Sequence, residues 1–518
     1  MARSFALFAL VSTAPVVSSR CFPGDACWPT ADTWSAFNVS LGGKLIANMP
    51  IAAVCHNSTF TPHDAAACTL PTNNSCNPFL DASAPCTMGN YPVYSVNATG
   101  AEDYQKTLAF AQEHNIRFVI RNTAADYNGK SSGAGSLALW THHLKAKEML
   151  DAYEFALAHD HVVVGANVPD IGLVGGYTQG AGTGPLGSRF GLGADQVLEW
   201  EAVLASGDFV VASPSSAEHA DLYWALCGGG GGTYAAVLSA TVKAHPPLGL
   251  STANLTFALP VAVESPDAFW EAVRAFLQYS PAIGDAGAEA VWYAQGTAFN
   301  LATVFAPGFD KKTLDALMRP FLKTLDGLGL PYAYASEQHP GFLEGFLAQL
   351  ATNVSNLNIG GRLIPRSLVE SDGAAPLAAA IRNITSSGAI FSGVTFNVSS
   401  HAPESGVGAN PYWREAVFSA VFGTFFDWTD WEANRRSADT ITDDLVPQLE
   451  LLTPGGAAYL NEYDFQQPDW ETTLYGANWG KLSEVKMKYD PRGVFYALGA
   501  VESERWVEQH DGRLCGKA

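Results

Sequence analysis

The apolar positions between residues 101 and 160 change period several times. AEDYQKTLAFAQEHN (101–115) sets Leu108, Ala109 and Ala111 at helical spacing with charge outside, which predicts a helix. IRFVIR (116–121) predicts a strand, SLALWTHHL (136–144) a second strand, and AKEMLDAYEFALAHD (146–160) a helix. HVVVGAN (161–167) again predicts a strand. The following PDIGLVGGYTQGAGTGPLGSRFG (169–191) is so rich in glycine that it predicts loop and tight turn. Two strands joined at Ser206-Gly207-Asp208 are predicted within 196–214, then a helix, a glycine run and a strand within 219–246. Beyond about 251 the pattern shifts. Amphipathic helices at 265–280 and 311–329 flank an alternating stretch, 290–308, that reads as two paired strands, so the middle third predicts an α+β domain with an antiparallel sheet. The last stretch, from AAYLNEYDF (457–465) on, is rich in aromatics.

Composition narrows the picture. The chain has 518 residues, 47% hydrophobic and 15% charged, enough for large cores in two or three domains. Its net charge of -21 and lack of any basic stretch exclude nucleic acid as a partner. The N-terminus, MARSFALFALVSTAPVVSS (1–19), has one Arg, a short apolar run and small residues near Ser18, as a secretory signal peptide does. No later run is long enough to span a bilayer, so the expected location is secreted or the secretory-pathway lumen. Six early cysteines, Cys21, Cys27, Cys55, Cys68, Cys76 and Cys86, lie among Pro, Asn and Thr and suggest disulfides stapling a loop-rich segment. Cys227 reads as a free buried thiol, and Cys515 is expected to pair back to the early group. Sequons at Asn38, Asn57, Asn73, Asn97, Asn254, Asn353, Asn383 and Asn397 fit a glycoprotein.

Several motifs lose their chemistry in context. Gly129 to Gly133 matches G-x-S-x-G, but a strand rather than a helix is predicted to follow, so Ser131 is not a nucleophile. Gly182 to Gly187 matches G-x-G-x-x-G, but Pro185 and the glycines upstream deny it the strand-turn-helix of a dinucleotide fingerprint. His142 and His143 are expected on opposite faces of a strand, without the further ligands a metal needs. A stronger signal is the recurrence of glycine-rich segments at 121–135, 172–187 and 228–232, where backbone N–H groups can approach a phosphate or a ring.

These segments resemble the fungal berberine bridge enzyme-like flavin oxidases of the vanillyl alcohol oxidase superfamily. The resemblance runs through CFPGDACWP (21–29), RNTAADYNGKSSGAGSLALWTH (121–142), NVPDIGLVGGYTQGAGTGPLGSRFGLGADQVLEWE (167–201), DLYWALCGGGGGTYAAVLS (221–239), NWGKLSEVKMKYDPRGVF (478–495) and DGRLC (511–515). It implies an α+β fold, a two-lobed PCMH-type FAD-binding domain plus a substrate domain with an antiparallel sheet covered by helices. The expected boundaries are 1–19 signal peptide, 20–95 cysteine-rich segment, 96–248 FAD-binding domain, 249–452 substrate domain and 453–518 a C-terminal berberine-bridge-like segment returning to the FAD domain.

The same resemblance implies FAD as cofactor and an FAD-linked oxidoreductase of fungal specialised metabolism. Its substrate would be a small natural product carrying an alcohol, an amine or an activated C–H, with O2 as electron acceptor. The residues it implies for FAD are Arg121, Asn122, Thr123, Ala124, Ala125, Asp126, Tyr127, Ser131 and Gly133, then Val168, Gly172, Gly175, Gly176, Tyr177, Gly182 and Thr183, then Asn478 and Trp479. Three positions depart from the pattern. Most relatives carry Gly-His where this chain has Ala124-Ala125, and that histidine bonds the flavin 8α-methyl; alanine has no nucleophilic atom. Val168 stands where bicovalent relatives use cysteine, and Thr183 where a ring-facing His or Tyr is common. FAD is therefore expected to be non-covalent or absent. Ala124 and Ala181 replace glycines, and the Ala124 Cβ would crowd the pyrophosphate if its φ is positive. Catalysis needs a base near the reacting carbon, and YLNEYDF (459–465) offers Glu462, with Tyr459 near it. Trp292 and Tyr293 are equally candidates for pocket lining or for core. The alternative is a flavin-independent cyclase on a degenerate oxidase scaffold, which would act by holding a substrate in a cycloaddition-ready pose.

Overall fold

The computed structural model describes residues 19–56, 76–144, 148–259, 267–349 and 357–517. Most of the expected signal peptide, Cys68, and the sequons at Asn57, Asn73 and Asn353 lie outside them.

Of the four sheets among the described residues, the smallest pairs only Trp506–Glu508 with Leu514–Gly516, and the other three position the site. The first contains β1 (Leu45–Ala47), β2 (Tyr94–Asn97), β3 (Phe118–Arg121) and β4 (Leu137–Trp140) in the order β1-β2-β4-β3, with β4 parallel to both β2 and β3. The helix Ala101–Glu113 connects β2 to β3. Its first turn carries Glu102 and Asp103, as its dipole favours, and Asp103 caps the entering chain by accepting from the Thr99 N–H at 2.8 Å. Tyr104, Leu108 and Ala111 form its buried face, against Phe118, Leu137 and Leu139 of the sheet. The second sheet is antiparallel: β5 (Val197–Val203), β6 (Phe209–Ala212) and β7 (Ala236–Val242), in the order β6-β5-β7.

The third sheet has seven antiparallel strands. They are β8 (Leu250–Ala258), β9 (Glu289–Gln295), β10 (Ala298–Pro307), β11 (Tyr332–His339), β12 (Leu357–Pro365), β13 (Ile390–Thr395) and β14 (Ala416–Phe425), in the order β11-β8-β10-β9-β13-β14-β12. The period of two along β9 sorts its residues. Ala290, Trp292 and Ala294 join the core under the helices Asp267–Asp285, Lys311–Gly327 and Ala374–Ser386. Val291 and Tyr293 turn to the other face, against Tyr153, Leu173 and Tyr177 of the glycine-rich lobe. Trp292 is thus core, fully buried, with its indole N–H on Thr395 Oγ1 at 3.2 Å. The chain ends close to where the described residues begin: the Arg20 N–H donates to Leu514 O at 2.8 Å and Arg513 pairs with Asp25.

Four expectations are corrected. Residues 161–167 form no strand, only a single bridge from Val162 to His245. The reason is a helix rather than a strand partner: Tyr153 donates its hydroxyl to Ala166 O at 2.7 Å. Residues 169–191 are not loop throughout. They contain a π turn, Leu173–Tyr177, and a short helix, Gly187–Phe190. Thr178 Oγ1 and Gln179 Nε2 donate to the Leu173 and Val174 carbonyls at 2.6 and 3.0 Å, supplying partners that local propensity does not forecast. His142 and His143 lie past the end of β4 rather than on it, with His142 stacked on Trp140. Cys515 is a free thiol, whereas Cys21–Cys27 and Cys76–Cys86 are disulfides and Cys227 is free and buried. The only cluster of potential metal ligands among the described residues is Cys21, Asp25 and Cys27, and its two sulfurs are spent on each other. No helix among the described residues is long and apolar enough to cross a membrane.

Candidate active site

The glycine-rich segments and the C-terminal segment meet around one cavity of about 360 Å³. Its first wall is the loop that follows β3. Asp126 shapes this loop by accepting from the Asn128 N–H at 2.9 Å and the Ser131 N–H at 2.7 Å. Asn122, Thr123, Ala124, Ala125, Asp126, Tyr127 and Ser131 all line the cavity. The second wall is the π turn, through Gly172, Gly175, Gly176 and Tyr177, and the third is Gly231 and Gly232. Tyr459 and Glu462 close it from the C-terminal segment.

The remaining predicted residues lie elsewhere. Arg121 points back into its own loop, Nη1 reaching Ser131 O at 3.4 Å. Gly133 is glycine because a Cβ would strike the Arg117 guanidinium. Val168, 41% exposed, is not among the residues that line the cavity. Gly182 lies against the Tyr177 ring, and Thr183 holds a buried hydroxyl without a protein partner outside the cavity lining. Asn478 is used structurally, its Nδ2 donating to Ala409 O at 2.8 Å, and Trp479 packs edge-on against Trp470.

The cavity wall has the marks of a ligand site. Asn122 Oδ1, Asn128 Nδ2, Tyr177 OH and Gln179 Oε1 are buried in residues that line it, and none has a protein partner. Buried polar atoms are normally satisfied, so four together indicate a missing acceptor and donor set. The glycines agree. A Cβ on Gly176 would meet no protein atom within 4 Å, and one on Gly232 only Ile120 at 3.8 Å. At Gly232 the φ of +64° already favours glycine, but at Gly176 neither packing nor backbone demands it, which leaves room for the close approach of a bulky polar ligand. A nucleotide-flavin such as FAD fits this donor set and these cleared backbones.

Three further residues belong to the wall and were not picked out from the sequence. Lys130 reaches across to Leu460 O at 3.1 Å, and burial lowers its ammonium to about 8 despite the nearby Asp126. Asn461 Nδ2 donates to Gly176 O and to the Tyr459 hydroxyl, each at 2.9 Å, tying the C-terminal segment to the π turn. Gln179 carries one of the orphaned oxygens. Lys130 stood in the middle of the glycine-rich loop, a cation among small polar residues, and that was its only signal.

Glu462 is half-buried because it looks into the cavity, yet protein surrounds it deeply enough that burial raises its carboxyl to about 7. Burial, and then the Glu462 charge, push the Tyr459 phenol up, so it stays neutral.

Two alanines carry strain. Ala124 has φ +60° and Ala181 φ +95°, the region that favours glycine, so the condition under which the Ala124 Cβ crowds the site is met. Ala124→Gly is expected to raise stability by up to about 1 kcal/mol by relieving that strain, net of the freedom glycine adds to the unfolded chain. Ala181→Gly should gain less, because Ala181 is 1% exposed and its methyl packs in a core. Thermal unfolding of the two variants checks both.

Comparison with known proteins adds the following. Residues 458–502 match the family described as berberine and berberine like. The chain is 44% identical to the FAD-linked oxidoreductase sor8 of Hypocrea jecorina, over 98% of this chain and 94% of that protein. It is 34% identical to the bifunctional decalin synthase calF of Penicillium decumbens, over 96% of this chain and 94% of the relative. Among solved structures, the VAO-type flavoprotein MtVAO615 from Myceliophthora thermophila superposes with a TM-score of 0.91 at 36% identity, covering 96% of this chain and 100% of that one.

Proposed function

The chain belongs to the berberine-bridge-like FAD-linked oxidoreductases with the VAO/PCMH-type flavoprotein fold, and from that premise we propose that it oxidises a small natural product at an alcohol, amine or activated C–H, with O2 as acceptor. The observation that carries this reading is the single cavity in which the flavin-type loops and Glu462 face each other. Bound FAD would supply a two-electron acceptor that hands its electrons on to O2. The loop from Asn122 to Ser131, with Gly175, Gly176, Gly231 and Gly232, would hold it, and the Lys130 ammonium would oppose its phosphate charge. The attachment is non-covalent, since neither Ala125 nor Val168 offers a nucleophile.

Glu462 is the base of the site. Ionised, it takes the proton that leaves the substrate's O–H, N–H or activated C–H. The neutral Tyr459 hydroxyl, held by Asn461, orients the substrate's polar group. Because the carboxylate is the active form and burial raises its pKa, kcat/KM is expected to rise with pH through about 7 and to be suppressed below it. A profile that is flat down to the ordinary carboxylate range would remove Glu462 from this role. The leader-like N-terminus and the disulfides Cys21–Cys27 and Cys76–Cys86 support passage through the secretory route.

The direct test is the visible spectrum of the purified chain before and after acid precipitation. A yellow protein that releases all its flavin into the supernatant, and consumes O2 with a member of an alcohol and amine panel, is expected. A colourless, folded protein that takes up no added FAD would overturn the reading.

A second reading has a specific observation behind it. The similarity to a bifunctional decalin synthase, together with Ala124 and Ala125, favours a cyclase that holds a polyene in a reactive pose. Product formed at an unchanged rate without flavin and without O2 consumption would select it.

A further inference from the structure

The strand β9 begins on a residue the mechanism above does not use. Glu289 is 0% exposed, and neither of its carboxyl oxygens has a hydrogen-bond partner. The alternation of β9 puts it on the side of Val291 and Tyr293, which faces the glycine-rich lobe, not on the side of Trp292 under the helices. Its cross-strand neighbour on β10 is Phe305, which offers no donor.

We infer that Glu289 is a second proton-holding carboxyl of the active site, a positioning residue kept neutral beside Glu462 so that the pair carries one negative charge, on Glu462. The inference rests on the reading of Glu462 as the base.

The titratable groups around Glu289 come from three elements. The helix Met149–Leu157 brings Tyr153, the π turn brings Tyr177, and the C-terminal segment brings Glu462. No cation among the described residues acts on it. Tyr153 already donates its hydroxyl to Ala166 O, but the Tyr177 hydroxyl is buried, unpartnered and part of a residue that lines the cavity. An ionised carboxylate at Glu289 would have no exposure to solvent and no cation, whereas the neutral acid is tolerated there. Its titration fits: burial first, and then the charge on Glu462, raise the Glu289 carboxyl to about 8.

The proton balance is simple. The substrate's proton moves to the Glu462 carboxylate, the pair becomes uncharged, and Glu462 returns the proton to the cavity. Glu289 keeps its own proton throughout. Two carboxyls that interact this way ionise in two separated steps, and the apparent values belong to the pair.

Infrared difference spectroscopy of the purified holoenzyme across pH tests this. The C=O stretch of a protonated carboxyl is expected at neutral pH, with a component that titrates away near pH 8 and is lost in Glu289→Gln. In Glu462→Gln the band should persist with its midpoint moved to lower pH, since the neighbouring charge is gone. Should Glu289→Gln fail to fold, labelling wild type with carboxyl-13C glutamate must shift the same band and show it is a glutamic acid. A neutral-pH spectrum without that band overturns the inference, as does a band unaltered in Glu289→Gln or a midpoint unmoved in Glu462→Gln. Full turnover by Glu462→Gln with the band intact would instead discard the base assignment.

Discussion

Glu462→Gln is expected to lower kcat/KM by about 10² to 10⁴-fold, the range for removing a general base, while flavin uptake stays as in wild type. The amide keeps the shape and the cavity wall but cannot take a proton. The position is built for precision. The Glu462 N–H donates to Tyr459 O at 2.9 Å, closing the turn that presents both side chains. On the other side β12 runs so close that a Cβ on Gly361 would collide with the Glu462 carbonyl. The flavin spectrum separates lost chemistry from lost binding. A rate within about threefold of wild type, well short of the loss of a general base, would reduce Glu462 to a wall residue.

Lys486→Met is expected to destabilise the fold by about 3 to 5 kcal/mol, as breaking one side of a buried ion pair does. Lys486 and Asp490 are 1% and 0% exposed, with Nζ to Oδ2 at 2.7 Å. The same ammonium donates to Thr233 O at 2.8 Å and Phe495 O at 2.7 Å. Asp490 in turn accepts from the Val494 and Phe495 N–H groups at 2.8 and 2.9 Å. Removing the lysine leaves a buried carboxylate with two backbone N–H partners and no countercharge, and unties two segments that border the cavity at Gly232 and Phe495. Flavin retention should weaken along with stability. Denaturant unfolding of the single variant against Lys486→Met with Asp490→Asn checks the cause, because the double variant should recover part of the loss. A single-variant loss below about 1 kcal/mol would show that the segment holds without the pair.

Where the chain's own neighbours decide structure, the sequence was legible. The alternation through 290–308 gave the β9–β10 hairpin, and the amphipathic spacing gave the helices that cover it. The loop after β3 was recognisable from its small polar residues, and most of its predicted residues do reach the cavity. The reading failed where a distant group replaced a local partner. Residues 161–167 have strand propensity, but Tyr153 takes the Ala166 carbonyl. Asn478 resembles a flavin contact, but the Ala409 carbonyl takes its amide.

By itself the sequence determined the covering helices, the paired strands, the phosphate-type loops and the absence of a flavin-linking nucleophile at Ala125 and Val168. Each depends on residue identity or on periods of two and 3.6 within one element. Only the tertiary structure decided that Lys130 spans to Leu460, that Glu462 sits where its carboxyl titrates near neutrality, and that Glu289 is buried beside it without a donor. Those properties arise from how the lobes pack, which sets the desolvation of each charge, and no local pattern in the chain encodes that distance or that burial.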